Sequence, residues 1–381
     1  MVKISKTYVN ALLPAVFFGY AIYANADLLM TPPKEEDSKP LSVSYFVDGD
    51  ATKDMDHLYK TSLPHREVAI GVVGAARYAL LGAGRDGVVV GKDGWLFTEE
   101  EFRPISEADI EDAVARIAEV RDELRAAGSE LVVVPIPAKA DVYAEHLGTI
   151  MSGDAIRNAY GTFNTSLKAA GITTVDSRQA LIADKEKAGV FLQSDTHWTP
   201  DGAQVVAGAI GQAVNGAGLD FAKEEVKGKT EKPVEFWGDL TKFITSPDYA
   251  ATAGLKQEKV PLFRAELQKE DAATDIFGSD DAGVPVVLVG TSYSANENWS
   301  FQDFLEMSMS TDVLNLAKEG MGPGVPMLDF LKSDTFKSTP PQLVIWEFPV
   351  RYLSQDILWK RADEPASASV APDPTKGGKN A

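Results

Sequence analysis

Cysteine is absent from the 381 residues of this chain. A chain without thiols forms no disulfides, offers no thiolate to a metal and tolerates any redox compartment. A cysteine nucleophile is therefore excluded, and a hydroxyl nucleophile would need a neighbouring base to activate it.

Basic side chains are in the minority, because 37 Lys and Arg stand against 56 Asp and Glu and leave a formal net charge of −19. Such a chain repels nucleic acids and anionic membrane surfaces, so no nucleic-acid partner is predicted. It also repels polyanionic sugars, unless the cleft that receives them is locally basic.

Long apolar runs are missing except near the N-terminus. There, Lys3 and Lys6 precede an apolar segment at 11–23 and a small-residue triplet at 24–26. This order is typical of a secretory signal, although the apolar part is shorter than the roughly 20 residues that span a bilayer. Residues 1–26 are predicted to be a signal peptide or an uncleaved N-terminal anchor.

The remaining chain divides by composition into three parts. Residues 27–76 are polar and predicted to be a linker or surface arm, and residues 363–381 are predicted to be a disordered tail. Residues 77–362 alternate apolar runs with helical patterns, which predicts an α/β domain with a mostly parallel central sheet. Within it, residues 217–283 break the alternation and are predicted to be an irregular insertion beside or over the cleft.

Residues 82–87, GAGRDG, formally match a dinucleotide-binding fingerprint. That fingerprint requires a preceding strand and a following helix. Here the runs 88–90 and 95–97 follow, separated by a Gly-containing turn, which is the pattern of two short strands. The sequence therefore argues against a nucleotide at this position.

The stretch 194–203, SDTHWTPDGA, contains the most distinctive chemistry. It places Asp195 and His197 two residues apart, just before a predicted helix with Thr199 as N-cap and Pro200 at the first helical position. A carboxylate can hold an imidazole in one tautomer, and the imidazole can then accept a proton from a hydroxyl nucleophile.

The best candidate for that hydroxyl is Ser292, with Ser294 as the alternative. The apolar, β-branched run at 284–289 predicts a buried parallel strand, which Gly290 ends before a helical pattern. Ligands of parallel sheets bind at the carboxyl ends of strands, and backbone N–H groups there can stabilise an oxyanion.

Two other interpretations of the Asp-His pair stay open at this point. Such a pair is often structural. Asp195, His197 and Asp201 also have a spacing that suits a metal ion, although Asp201 is explained as an acid in the first turn of a helix. The sequence predicts no metal or organic cofactor.

The stretch 194–203, together with VGTSYS at 289–294, resembles the alginate O-acetyltransferase family of the Gram-negative periplasm, whose domain is similar to the SGNH hydrolases. Three further stretches match that family's pattern: VVVGKDGWLFTEEE at 88–101, VVVPIPAKADVYAE at 132–145 and LVIWEFPVRYL at 343–353. The resemblance extends over roughly residues 77–353 and is strongest to the family's single-domain member.

This resemblance implies an SGNH-hydrolase-like three-layer sandwich with Ser292 as nucleophile, His197 as base and Asp195 as its orienting partner. The order of the motifs is reversed, because the serine comes first in ordinary SGNH hydrolases. The resemblance also implies acetyl transfer to a polysaccharide acceptor in the periplasm, with possible association with the inner membrane. A membrane-bound O-acyltransferase partner would supply the acetyl groups.

Residues near the predicted triad are candidates for contacts with substrate. Trp198, Tyr293 and Trp299 are nominated as an aromatic platform for a sugar, with core packing as an equal alternative. The amide of Ser292 is one expected oxyanion donor. Asn296 and Asn298 are candidates for the second, although asparagines after a turn more often begin helices.

Lys139 and Arg351 follow predicted strands at the edge of the sheet that carries the site. They could neutralise a substrate carboxylate, or they could pair with local acids such as Asp141 or Glu347.

Two alternative functions use the same residues. A carbohydrate acetylesterase needs the same triad with water as acceptor, and a catalytically idle scaffold would only bind polysaccharide. The sequence does not identify the polymer or the hydroxyl that is acetylated.

Overall fold

The computed structural model describes residues 6–30, 42–63, 65–148, 152–219, 221, 223–268, 284–355 and 358–359. The described strands are β1 Val88–Val90, β2 Leu96–Thr98, β3 Glu130–Ile136, β4 Thr173–Thr174, β5 Glu225–Thr230, β6 Val234–Phe236, β7 Glu258–Val260, β8 Phe263–Gln268, β9 Val286–Val289, β10 Val313–Asn315 and β11 Leu343–Pro349. The described α-helices are α1 Lys6–Met30, α2 Val43–Val47, α3 Asp50–Ser62, α4 Arg66–Leu81, α5 Glu107–Ala126, α6 Lys139–Val142, α7 Asp154–Ala169, α8 Ser177–Ala188, α9 Pro200–Gly216, α10 Pro247–Ala250, α11 Ser292–Ala295, α12 Phe301–Met309, α13 Gly324–Lys332 and α14 Asp334–Ser338.

A parallel sheet forms the centre of the domain, with strand order β10-β9-β11-β3-β4. Side chains alternate between its faces, so Val132 and Ile345 belong to one buried cluster while Val133 and Trp346 belong to the other. Helices α9 and α12 cover the first face, and α5, α7 and α13 cover the second. The three-layer α/β sandwich predicted from sequence is confirmed.

Local signals in the sequence fix where the longer helices start. The side chain of Ser106 accepts from the Asp109 amide and the Asp109 carboxylate accepts from the Ser106 amide, which completes a capping box before α5. Thr199 caps α9 by accepting from the Gly202 amide, and Pro200 occupies its first turn as predicted. Helix α9 therefore begins directly after the Asp-His stretch.

The region 27–76, predicted to be a linker or arm, contains helices α2 and α3 and most of α4. Helix α4 packs on the insertion, where a Cβ at Gly74 would approach the Ile244 carbonyl oxygen to 2.1 Å. The hydroxyl of Thr245 also donates to the Gly71 carbonyl oxygen. Of the helices that the structure describes, α1 included, none has the combined length and apolar character required to cross a bilayer. The predicted tail at 363–381 lies outside the described residues.

The insertion has more regular structure than the sequence suggested. Its described part forms two antiparallel ribbons, β5 with β8 and β6 with β7, and a 3₁₀ helix at Asp239–Phe243 and α10 connect β6 to β7. Residues 269–283 of the predicted insertion lie outside the described residues. Glu258 of β7 and Asp239 of the 3₁₀ helix bind the Asp-His stretch, so the insertion lies beside the candidate site.

A buried carboxyl on α12 makes the stability of the fold depend on pH. Burial raises the pKa of Glu306 from its ordinary value of 4.5 to about 7, and the nearby Asp303 and Asp312 carboxylates add to the shift. The folded protein therefore keeps this proton to a higher pH than the unfolded chain does. The free energy of unfolding consequently falls as pH rises from about 4.5 to about 7. Above that range, the full cost of burying the ionised Glu306 carboxylate is present.

We expect Glu306→Gln to raise the melting temperature relative to wild type more at about pH 8 than at about pH 5, because glutamine is neutral throughout. The Gln302 side chain, which donates to Glu306 at 3.0 Å, can also donate to the oxygen of an amide. Thermal unfolding followed by circular dichroism measures the effect. The exposed Glu319→Gln variant is the control, and an equal gain at both pH values for Glu306→Gln would contradict the prediction.

Candidate active site

Asp195 and His197 lie on a loop between α8 and α9 that we call the Asp-His loop, residues 190–199. The loop closes on itself, since the Leu192 amide donates to the His197 carbonyl oxygen and the Thr199 amide donates to the Val190 carbonyl oxygen. Its tip is therefore held in one shape just before the N-terminus of α9.

Ser292 lies at the turn between β9 and α11, at the carboxyl edge of the central sheet as predicted. Gly290 is required in this turn, because a Cβ there would lie 2.5 Å from a carboxylate oxygen of Glu347. That carboxylate accepts from the Thr291 amide at 2.7 Å and from the Thr291 hydroxyl. Thr291 in turn caps α11, whose first residue is Ser292.

The structure brings the three predicted residues into one hydrogen-bonded chain. His197 Nδ1 lies 2.6 Å from Asp195 Oδ1, and His197 Nε2 lies 2.7 Å from Ser292 Oγ. The alternative nucleophile, Ser294, is buried and donates to Glu347 at 3.1 Å instead. With the Nδ1 proton directed at the carboxylate, Nε2 can accept the proton of the Ser292 hydroxyl.

The Asp195 carboxylate is stabilised in its charged form. Its Oδ1 accepts from the His197 amide at 3.0 Å as well as from the imidazole, and its Oδ2 accepts from the Asp239 amide at 2.7 Å. Burial raises the pKa of Asp195, but the bonds from His197 and the Asp239 amide outweigh burial and bring that pKa below its ordinary value. The carboxylate is thus ionised at neutral pH and holds the imidazole in place.

Two acids of the insertion support the tip of the Asp-His loop, and sequence analysis missed both. Asp239 Oδ1 accepts from the amide and hydroxyl of Thr196, at 2.7 and 3.1 Å. Glu258 accepts from the amide and hydroxyl of Ser194, at 2.5 and 2.8 Å. Asp239 belongs to the apolar FWGDL cluster at 236–240, a weak signal for contact with the domain, whereas nothing in the sequence marks Glu258.

Lys139, nominated for substrate contact, lies in the interior beneath the Asp-His loop. Its Nζ donates to the carbonyl oxygens of Leu192 and Asp195 at 3.0 and 2.6 Å. Burial lowers the pKa of Lys139, which the nearby Glu101 carboxylate partly offsets. The ammonium group of Lys139 is therefore bound to carbonyl oxygens of the Asp-His loop. The predicted pairing of Lys139 with Asp141 is not formed, because the Asp141 carboxylate pairs with two arginines, Arg157 and Arg178.

Arg351 is also buried, next to Tyr293 rather than in an open cleft. Its Nη1 donates to the Tyr293 hydroxyl at 3.1 Å, and its Nε lies 3.4 Å from a carboxylate oxygen of Glu100. The Tyr293 hydroxyl donates to the Thr196 carbonyl oxygen at 2.9 Å. Arg351 thereby reaches the Asp-His loop through one tyrosine.

The three nominated aromatic residues surround the His197 imidazole from inside the protein. Trp299 stacks on His197 with 5.3 Å between ring centroids, and its indole donates to the Ser292 carbonyl oxygen. Tyr293 contacts the same imidazole edge-on at 4.9 Å, and Trp198 packs on Tyr293. All three are at most 1% exposed, so in this structure they fix the imidazole and present no open face to a sugar.

Asn296, a candidate oxyanion donor, begins the 3₁₀ helix Glu297–Trp299, where its side-chain oxygen accepts from the Asn298 amide. The predicted alternative of a helix-start role therefore accounts for Asn296. The amide of Ser292, at the first position of α11, has no acceptor in the α-helix itself.

A cluster of possible metal ligands coincides with the triad. Among the described residues, Asp195, His197 and Asp239 offer ligand atoms within 4.8 Å of one another, and Asp239 takes the place that the sequence gave to Asp201. However, both oxygens of Asp195 already accept from N–H groups, and Asp239 Oδ1 accepts from Thr196. This donor pattern fits a hydrogen-bonded relay better than a cation site.

Comparisons with known proteins identify the family of this chain. The family model described as the SGNH hydrolase-like domain of acetyltransferase AlgX matches residues 88–350. The chain is 37% identical over 349 residues to the probable alginate O-acetylase AlgJ of Pseudomonas syringae, covering 89% of this chain and 87% of the relative. It is 38% identical over 304 residues to the corresponding Pseudomonas aeruginosa protein, covering 77% of this chain and 78% of the relative.

Solved structures give the same result. The O-acetyltransferase domain of Pseudomonas putida AlgJ superposes with a TM-score of 0.63 at 37% identity, covering 71% of this chain and 93% of that structure. Pseudomonas aeruginosa AlgX gives a TM-score of 0.58 at 26% identity, covering 72% and 64%. The chain therefore belongs to the AlgX-type family of SGNH hydrolase-like acetyltransferase domains.

Proposed function

We propose that this protein is a polysaccharide O-acetyltransferase of the cell envelope that works through an acetyl-serine at Ser292. The observation that carries the proposal is the unbroken hydrogen-bonded chain from Asp195 through His197 to Ser292. The relatives named alginate O-acetylase support acetyl transfer, with alginate or a similar exopolysaccharide as acceptor.

In the first half-reaction, the Ser292 hydroxyl attacks the carbonyl carbon of an acetyl ester while His197 Nε2 removes its proton. The new C–O bond places negative charge on the former carbonyl oxygen, which the Ser292 amide can stabilise. When the old ester bond breaks, the imidazolium returns its proton to the leaving oxygen. General-base assistance of this kind typically contributes about 10²–10⁴-fold to the rate.

In the second half-reaction, His197 Nε2 removes the proton of a sugar hydroxyl, which attacks the acetyl-serine. The Ser292 oxygen leaves and regains the proton from the imidazolium, so protons and charge balance over the cycle. The ionised Asp195 stabilises the imidazolium in both halves, since burial strengthens the attraction between the two groups. The side chains of Trp299 and Tyr293 restrain the ring during these steps.

The same proposal places the protein in the periplasm, exported by or anchored through residues 1–26. A membrane-bound O-acyltransferase partner would then supply acetyl groups on the periplasmic side of the inner membrane. Both points depend on the N-terminal sequence pattern and on the family.

The deciding experiment incubates the purified protein with a small acetyl ester as donor and with oligosaccharides of the exopolysaccharide as acceptor. Mass spectrometry should detect acetylated oligosaccharide, and peptide mapping after rapid quenching should find the acetyl group on Ser292. Release of acetate without acetylated sugar would instead indicate an acetylesterase. Neither product, with oligosaccharide still bound, would indicate a scaffold.

A further inference from the structure

A surface cavity of about 600 Å³ lies where three separate parts of the chain meet. Its lining combines Arg77 from α4, Arg85 and Asp86 from the GAGRDG stretch, and Lys242 and Phe243 from the insertion. The volume is within the range of about 300–1,000 Å³ that is typical of ligand sites. The GAGRDG stretch thus acquires a structural role as one wall of this cavity.

Hydrogen bonds and close packing hold the GAGRDG stretch against the insertion. The Arg85 amide donates to the Phe243 carbonyl oxygen at 2.8 Å, and the Arg85 guanidinium donates to the Lys242 carbonyl oxygen. Gly87 has a φ of +104°, and a Cβ at this position would lie 2.5 Å from the Phe243 ring. The glycine therefore allows the aromatic ring to lie directly against the loop.

The cations of this cavity lack acidic partners. Within the described part of the chain, no carboxylate forms an ion pair with Arg77, Arg85 or Lys242, although acids outnumber bases by 56 to 37 overall. The ammonium group of Lys242 lies over the face of Phe243, with its Nζ 5.1 Å from the ring centroid. With three cations against the single Asp86 carboxylate, the lining of the cavity carries a net positive charge that attracts anions.

The cavity is connected to the candidate active site through one short helix. Asp239, whose amide donates to Asp195, and Lys242 belong to the same 3₁₀ helix. Residues three apart in such a helix lie on the same side, about 6 Å along its axis. The same 3₁₀ helix therefore binds the Asp-His loop at Asp239 and lines the cavity at Lys242.

We infer that this cavity, which we call the basic cavity, is a binding subsite for a carboxylate-bearing sugar polymer, such as a polyuronate. The guanidinium groups of Arg77 and Arg85 pair well with carboxylates, and the ammonium group of Lys242 adds a third positive charge. This assignment depends on the proposed function, because it supplies the acceptor of that reaction. It also explains how a protein with a net charge of −19 can retain a polyanion.

The test compares binding of a short uronic-acid oligomer with binding of the same oligomer after its carboxylates have been reduced to alcohols. The full chain should bind the charged oligomer more tightly, and added salt should weaken that binding. The triple variant Arg77→Gln, Arg85→Gln, Lys242→Gln should raise the Kd for the charged oligomer about tenfold or more, since several ion contacts are lost.

The matched control replaces three exposed lysines of the insertion, Lys223, Lys229 and Lys232, by glutamine and so changes the net charge equally. Its Kd should remain within about twofold of wild type, because diffuse charge alone contributes little at moderate salt. An unchanged Kd in the basic-cavity variant, an equal loss in the control, or equal binding of the neutral oligomer would each overturn the assignment.

Acetyl-serine formation from a small acetyl ester separates this inference from the proposed function. The basic-cavity variant should form acetyl-serine at the wild-type rate, since the small ester carries no carboxylate; a parallel loss would overturn the subsite. Failure of the wild type itself to form acetyl-serine would count against the proposed function, whatever the oligomer binding shows.

Discussion

Replacing Ser292 by alanine is expected to reduce acetyl transfer by about 10³-fold or more while the protein stays folded. The variant removes the one atom that would become bonded to the acetyl carbon. The Ser292 hydroxyl is only partly buried and bonds to His197, so its loss leaves neither a large cavity nor a buried unpaired charge. Acetylated oligosaccharide is quantified by mass spectrometry, and thermal unfolding checks the fold.

Ser294→Ala is the matched control, two residues further along the same turn. Its hydroxyl is buried and donates to Glu347, so the variant should lose about 1 kcal/mol of stability. Its activity should stay within about tenfold of wild type, because the hydroxyl is directed away from the imidazole. If Ser294→Ala were inactive and Ser292→Ala nearly normal, the nucleophile would be misassigned.

The parts of this site that sequence could predict are those with local physical causes. A β-branched apolar run followed by Gly290 specifies a strand that ends in a turn, and Thr199 with Pro200 specifies where α9 begins. These two signals place Ser292 and the Asp-His loop at ends of neighbouring elements. The family resemblance then connected them, because their separation of 95 residues has no local signature.

The parts that could not be predicted depend on contacts that are distant along the chain. Glu258 binds Ser194 across 64 residues, and Asp239 binds Asp195 across 44 residues. Both acids belong to the insertion, whose strand pairing is not predicted by any periodic pattern in the sequence. Both are acids in a chain rich in acids, so composition gives them no distinction.

Position in sequence also misled the selection of substrate contacts. Trp198 and Tyr293 are adjacent to His197 and Ser292 in sequence, yet successive side chains leave the backbone in different directions. Both lie in the core beside the triad, where they restrain it. Lys139 does follow β3 as predicted, but its long side chain turns inward to bind carbonyl oxygens of the loop.

Asp195→Asn is expected to reduce acetyl transfer by about 10²–10⁴-fold. The carboxylate has three N–H donors around it: the imidazole and amide of His197 on Oδ1, and the amide of Asp239 on Oδ2. An asparagine amide accepts through one atom only. Whichever way it is oriented, its NH₂ group therefore faces at least one N–H donor.

Orientation of the amide oxygen toward His197 satisfies two of the three donors and keeps the proton on Nδ1. The variant then retains the productive tautomer but loses the negative charge that stabilises the imidazolium, and its NH₂ group opposes the Asp239 amide. The opposite orientation would force the proton onto Nε2 and prevent it from accepting the Ser292 proton. Nitrogen chemical shifts of the His197 ring distinguish the two tautomers, while single-turnover formation of acetyl-serine measures the rate.

Comparison with Asp239→Ala separates the effect of the charge on Asp195 from the effect of the shape of the Asp-His loop. That variant keeps the backbone amide that binds Asp195 and removes only the carboxylate that binds Thr196. We expect it to retain the charge on Asp195 and to lose less activity than Asp195→Asn, through a looser loop. Equal losses would indicate that rigidity of the loop matters more than the charge on Asp195. Near-normal turnover of Asp195→Asn would show that the negative charge of Asp195 is not needed to stabilise the imidazolium.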